Sequence, residues 1–208
     1  MTDTGGELNR LNGKMGISAP YNSVPVMKLI NQHNPKSHEE LTGLIEKHIR
    51  GADCCDVVSQ GTVEDFGKNL FEAQEEFWGE IRYSQEQCIQ WEYDLFITQS
   101  LKGGKMEQKA ISELKSELSE YGKINFKEAN EFIDNKHRID VEVFFGERLI
   151  SGIQIKPKSY RKIRDEVKYR NKAANTKYDA EVFYLYYDYN SEEFENIQMI
   201  LSKLECLI

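Results

Sequence analysis

Apolar positions recur every three or four residues through the first half of the chain. Leu41, Leu44, Ile45 and Ile49 share one side of a segment opened by Ser37 and Glu40, with Gly51 beyond its end. Phe66, Leu70, Ala73, Phe77 and Ile81 repeat behind Thr62 and Asp65, and Cys88, Trp91 and Leu95 repeat behind Ser84 and Gln87. Each opening pairs a hydroxyl with an acid or amide three residues later, so each predicts a capped helix. Before them, residues 1–20 are polar and carry Gly5-Gly6 and Asn12-Gly13, which predicts a flexible segment. After Gly103-Gly104, the stripe Met106, Ala110, Ile111, Leu114 and Leu118 predicts a further amphipathic helix, stopped by Gly122.

Beyond that the period changes. Ile124 to Phe132 fits no single period, but Ile139, Val141, Val143 and Phe145 alternate with Asp140, Glu142 and Phe144, as a half-buried strand does. Gly146-Glu147-Arg148 reads as a turn, and Leu149 to Pro157 as the returning strand. Ser159 opens a basic helix to about Ala174, Ala180 to Tyr187 reads as an aromatic-rich strand, and Phe194, Ile197, Leu201 and Leu204 mark a last helix. The expected organisation is a flexible segment over 1–20, a helical part over 21–100 and an α/β core over 101–208.

At 208 residues, with 39% hydrophobic and 30% charged positions, the chain can bury a core without staples. No apolar run approaches the ~18 residues of a membrane span and the N-terminus has no apolar leader, so the expected setting is the cytoplasm, with no membrane partner. Cys54, Cys55, Cys88 and Cys206 fall in no metal spacing and read as free buried thiols. The net charge of −8 conceals a segregation. Between Ser151 and Lys177 nine basic residues stand against Asp165 and Glu166, whereas between Gly61 and Ser100 nine acids stand against two bases. One positive zone on an acidic body predicts an anionic partner at that zone. Along it, Lys158, Arg161, Arg164, Lys168, Arg170 and Lys172 are the candidate DNA contacts, with Arg161, Arg164, Lys168 and Lys172 on one helical stripe.

Asp140 and Glu142 share one face of the first hairpin strand, and Gln154 and Lys156 one face of the second. A turn centred on Glu147 sets Asp140 across from Gln154, and one centred on Arg148 sets it across from Lys156. Both leave Ile139, Val141, Val143, Ile153 and Ile155 as the core face. A carboxylate, an amide and an ammonium on one pleated surface suit metal-assisted phosphodiester cleavage, with Mg²⁺ held by Asp140 and Lys156 acting on the attacking water. A solvated cross-strand ion pair is the other reading. The tripeptide pattern alone decides nothing, since Glu107-Gln108-Lys109, Glu113-Leu114-Lys115, Asp134-Asn135-Lys136 and Glu166-Val167-Lys168 also carry it. Glu107 lies in the first turns of the helix whose apolar stripe faces the sheet, so its carboxylate is a candidate partner at the site. The four histidines show no metal or triad spacing, and no phosphate-binding loop, dinucleotide fingerprint or nucleophile motif is present, which predicts no organic cofactor.

Ile139-Asp140 followed by Gln154-Ile155-Lys156, behind the Lys102-Gly103 to Glu107 helix, resembles the PD-(D/E)xK nuclease superfamily. Within it, the Ile-Asp to Ile-Lys-Pro run and Thr98-Gln99-Ser100-Leu101-Lys102-Gly103 resemble the MjaI-type restriction endonucleases. The resemblance implies a restriction-endonuclease-like core, a central mixed sheet flanked by helices. It also implies an Mg²⁺-dependent type II endonuclease working as a homodimer on a short palindrome in double-stranded DNA. In that role Asp140 is the principal metal ligand, Gln154 an auxiliary one and Lys156 the group at the water, with Glu107 or Glu142 supplying the acid that Gln154 replaces. A junction resolvase and a non-catalytic DNA-binding module are the alternatives. Phe66, Phe77, Trp78 and Trp91 are the expected dimer surface.

Overall fold

A computed structural model describes residues 6–18, 23–49, 51 and 56–208. It divides into two compact units, Met1–Gly104 and Lys105–Ile208.

The first unit is helical. It contains α1 (Gly6–Met15), α2 (Val26–His33), α3 (His38–Lys47), α4 (Val63–Trp78) and α5 (Gln85–Tyr93). The start signals act as their chemistry requires: Thr62 with Asp65, and Ser84 with Gln87, form reciprocal capping boxes. Ser37 caps α3 by accepting from the Glu40 N–H, while the Glu40 carboxylate turns to the Lys36 N–H at 2.5 Å. Within the segment expected to be flexible, Gly6–Met15 forms α1. Leu8 and Leu11 lie one turn apart and are buried against Leu70, Cys88 and Trp91, which outweighs the glycines around them.

Two aromatic residues expected at a dimer surface are interior. Trp91 and Phe66 are buried in two separate cores of this unit, while Phe77 and Trp78 are half-covered beside Tyr83. Large rings bury too much apolar area to be left outside when a helix face offers them a core. Of the cysteines, Cys88 is buried as expected, Cys206 is exposed, and Cys54 and Cys55 lie outside the described residues. Glu92 is fully buried on α5, where both carboxylate oxygens accept from the Ser18 hydroxyl at 2.9 Å.

Helices α4 and α5 approach closely where α4 has no side chain. A Cβ at Gly67 would sit 2.5 Å from Ile89 Cα and 2.8 Å from its nitrogen. Gly67→Ala is therefore expected to lower stability by about 2–3 kcal/mol, read as a fall in the urea midpoint, because backbone must move to admit one methyl. An unchanged midpoint would mean that the two helices separate freely.

After α5 a π-helical turn (Asp94–Thr98) leads into α6 (Gln99–Glu117), which runs through Gly103-Gly104 instead of starting after them. A helix tolerates glycine at a cost of about 1 kcal/mol. Gly104 offers room in return, for a Cβ there would lie 3.3 Å from the Ile30 side chain.

The second unit is built on a four-stranded sheet in the order β1 (Ile124–Glu128), β2 (Val141–Phe145), β3 (Arg148–Pro157), β4 (Glu181–Tyr187). β1, β2 and β3 pair antiparallel, and β4 joins β3 in parallel. The segment of unassigned period resolves into β1 and α7 (Glu131–His137), capped by Asn130. One sheet face buries Val141, Val143, Ile153, Ile155, Phe183 and Leu185 under Met106, Ala110 and Leu114 of α6 and Ile200, Leu201 and Leu204 of α9 (Ile197–Glu205). The basic segment is broken in two, against the single helix expected from Ser159. A 3-10 turn (Lys158–Lys162) ends at an extended Ile163, and α8 (Asp165–Asn175) begins afresh. Asp165 and Glu166 in its first turn complement the helix dipole, which a run of bases there would oppose.

Candidate active site

Gly146, at φ 63°, and Glu147 make a two-residue turn between Phe145 and Arg148, which pair directly. Continued unbroken, that register would set Val143 opposite Ile150 and Val141 opposite Gly152, turning Gln154 and Lys156 toward the core. The ladder shifts instead between Val143 and Phe144. Val143 faces Ser151, Ile150 is the extra residue, and Val141 faces Ile153. From the shift onward the register is the one centred on Glu147, so the amide and the ammonium stand on the open face.

A second irregularity opens β2. The Asp140 N–H donates to the Ile153 carbonyl at 3.0 Å, although Ile153 already faces Val141. Two successive residues thus share one partner, and Ile139 leaves the core-facing set in which it was expected. It is buried instead toward Gly152, where a Cβ would meet its side chain and that of Tyr178 at 2.9 Å each. Asp140 Oδ2 accepts from the Ile155 N–H at 2.5 Å and lies 3.4 Å from Lys156 Nζ. These bonds to Ile153 and Ile155 bracket Gln154. Gln154 is 1% exposed, and its Oε1 is buried with no hydrogen-bond partner among the described residues.

Glu107 joins this group from α6. Burial first, and then the negative charge of Asp140, push its carboxyl well above the ordinary carboxylate value. Lys156 opposes the shift, while Glu128 and Asp134 add to it. Asp134, on α7, is raised for the same reasons, by burial and then by Asp140, with Lys156 and Arg138 opposing. Asp134 thus feels the charges of the candidate site, although the sequence does not single it out. Its Asp134-Asn135-Lys136 pattern was one of several equivalent matches, and only the fold of α7 distinguishes it. Glu142 is engaged elsewhere, its carboxylate accepting from the Tyr178 hydroxyl at 2.7 Å.

The site therefore gathers Asp140, Gln154, Lys156 and Glu107. Among the described residues no three of His, Cys, Asp and Glu converge as a ready-made ion cage. The donor set that fits a hard divalent cation is a carboxylate, Asp140, beside an amide oxygen lacking a partner, Gln154 Oε1.

The six basic candidates separate. Lys158 pairs with Asp188, Arg161 with Glu195 at 2.7 Å and Lys168 with Asp165 at 3.0 Å. Arg164, Arg170 and Lys172 are exposed and make no ion pair among the described residues. Along α8, Lys168 and Lys172 share one side and Arg170 takes the other.

A mixed sheet covered by helices, with an acid and a lysine brought together by its hairpin, defines a restriction-endonuclease-like fold. The family model of the MjaI restriction endonuclease matches residues 7–199, across both units, and the chain belongs to that family of type II restriction endonucleases. DNA is accordingly its substrate. No curated protein and no solved structure matches the chain significantly. Among the described residues no helix is long and apolar enough to cross a membrane.

Proposed function

We propose that the chain hydrolyses both strands of double-stranded DNA at a short palindromic sequence, with Mg²⁺ held by Asp140, Gln154 and Glu107, as a homodimer in the cytoplasm. The observation that supports this most is the unpartnered Gln154 Oε1, buried between the two bonds that fix Asp140. A buried polar oxygen without a partner costs about 1–3 kcal/mol unless something meets it. A cation also relieves the crowding that burial and Asp140 impose on Glu107. When bound, the ion supplies Lewis-acid stabilisation of the charge that develops on the phosphate. Asp140, held by the Ile155 N–H, presents its carboxylate in one orientation. Lys156, beside it, is placed to donate to a phosphate oxygen and to orient the attacking water. A palindrome requires two such sites related by a twofold axis.

The test is a digest of a sequenced plasmid with Mg²⁺ beside a chelated control, with sedimentation of the protein on the duplex it cuts. Discrete double-strand fragments only with Mg²⁺, and two chains per site, are expected. Retarded but intact DNA would overturn the catalytic reading, and cleavage restricted to four-way junctions would replace it with resolution.

Phosphate contact from Arg164 and Lys172, both exposed, gives a further expectation. Arg164→Ala with Lys172→Ala should weaken binding to all sequences and flatten the log–log salt slope by about 1.8, two phosphate contacts' worth. An unchanged slope would place α8 away from DNA.

A further inference from the structure

The open face of β4 carries a feature that phosphate hydrolysis does not use. Val182, Tyr184 and Tyr186 point to this face, while Phe183, Leu185 and Tyr187 enter the core. Tyr184 stacks on Tyr160 with ring centroids 6.0 Å apart and planes 26° apart, and on Tyr186 at 6.1 Å and 22°. The rings form one wall of a cavity of about 500 Å³, with Lys168, Lys172 and Asn175 of α8 opposite. That volume lies within the range of small-molecule sites and exceeds one nucleobase.

The hydroxyls are tied back. Tyr184 donates to Asn175 Oδ1 at 2.5 Å, Asn175 donates to the His137 carbonyl at 2.8 Å, and Tyr160 accepts from Asn171 at 2.8 Å. The rings are thus held in place along the cavity, with Arg161 covering Tyr186 at 4.2 Å, so a planar ring would extend the stack from Tyr160 and Tyr184. Flat aromatic faces suit a planar ring, and lysines suit an attached phosphate. The part of α8 that lines the cavity carries Lys168, Lys172 and Asn175 and no apolar side chain.

Register supplies the ligand's address. In the parallel β3–β4 pair Gln154 faces Tyr184 and Lys156 faces Tyr186. Neighbouring strands lie ~4.8 Å apart, so the tyrosine wall begins one strand from the residues proposed to cut. We infer that this cavity receives a nucleobase unstacked from the DNA beside the scissile phosphate, held on Tyr184 and Tyr160 with its backbone near Lys168 and Lys172. The inference rests on the endonuclease reading for its substrate. Extrusion costs least where the base is already mispaired, and each stacked base contributes through the ring it meets.

The full-length Asp140→Asn chain provides a non-cutting form for the test. Its affinity is measured for duplexes carrying the mapped cut site, with and without a mismatch at each base flanking the cut, and with 2-aminopurine at the same positions. One position should bind at least tenfold more tightly when mismatched, and its 2-aminopurine should change emission on binding. Adding Tyr184→Leu should reduce affinity for that mismatched duplex about tenfold to hundredfold and erase the preference, the loss expected for one stacked base. Tyr184→Phe keeps the ring and should keep the preference, and equal melting of the two variants separates stacking from folding. No mismatch preference at any position in a chain that cuts would overturn the cavity and leave the endonuclease standing. If no duplex is cut, the endonuclease reading falls alone provided deoxynucleoside monophosphates shift the Tyr184 ring resonances. Both fall if they do not.

Discussion

Asp140→Asn is expected to reduce Mg²⁺-dependent cleavage by about a thousandfold or more, several kcal/mol of transition-state stabilisation, while DNA binding stays equal or tightens. The change keeps the side chain's size, and the amide oxygen can still accept from the Ile155 N–H. What disappears is the negative charge that faces a metal ion and repels phosphate. Lys156→Ala should also abolish cleavage but weaken binding, since it removes a cation beside the scissile group and leaves Asp140 less compensated. An exposed cross-strand ion pair would behave otherwise, costing only 0.2–1 kcal/mol of stability with no effect on activity. The observed pair is not of that kind, because the Asp140 side chain is 9% exposed and that of Lys156 24%. Gln154→Glu adds a readout independent of turnover. A third carboxylate among Asp140 and Glu107 should lower the melting temperature in chelator and restore it with Mg²⁺. Parent-rate cleavage by both Asp140→Asn and Lys156→Ala would put the active site elsewhere.

The second large effect concerns the helical unit. Burial pushes the Glu92 pKa up to about 7, the Ser18 hydroxyl opposing only in part. In the unfolded chain the same carboxyl ionises near its ordinary value of 4.5. Between those values the folded protein binds the proton and the unfolded chain does not, so stability falls as pH rises from about 4.5 to 7 and levels off above. A shift of this size corresponds to on the order of 3 kcal/mol. Glu92→Gln keeps an acceptor for Ser18 and never ionises, so it should abolish that fall and be the more stable form at pH 8. Equal slopes in urea midpoints for parent and variant between pH 5 and 8 would show that Glu92 does not titrate as described.

The legible elements were those whose signal lies within one segment. Thr62 with Asp65 and Ser84 with Gln87 started helices because a cap is a contact over three residues. The alternation from Val141 to Phe145 made a strand because each side chain follows its neighbour's pleat. Glycine and serine rules misled at Gly103-Gly104 and Ser159, where packing to Ile30 and the acids at 165–166 outweighed local preference. The amphipathic spacing of Leu8 and Leu11 was present but masked by its polar surroundings.

The candidate site shows the same division. Its residue types, Asp140, Gln154 and Lys156 on a hairpin with Glu107 on the preceding helix, could be read in order along the chain. Sequence could not choose the register, because both centres satisfied the alternation equally. That choice needed the extra residue Ile150 and the shared partner Ile153, which depend on packing Val141, Val143, Ile153 and Ile155 under α6 and α9. The tyrosine wall was hidden for the same reason, because Tyr184 reaches Gln154 only through pairing of strands thirty residues apart in the chain. The sequence by itself determined which residue types form the candidate site and on which kinds of element they lie. Only the tertiary structure decided which side chains meet, because a one-residue shift in a strand reverses its faces and only burial of the whole core selects between them.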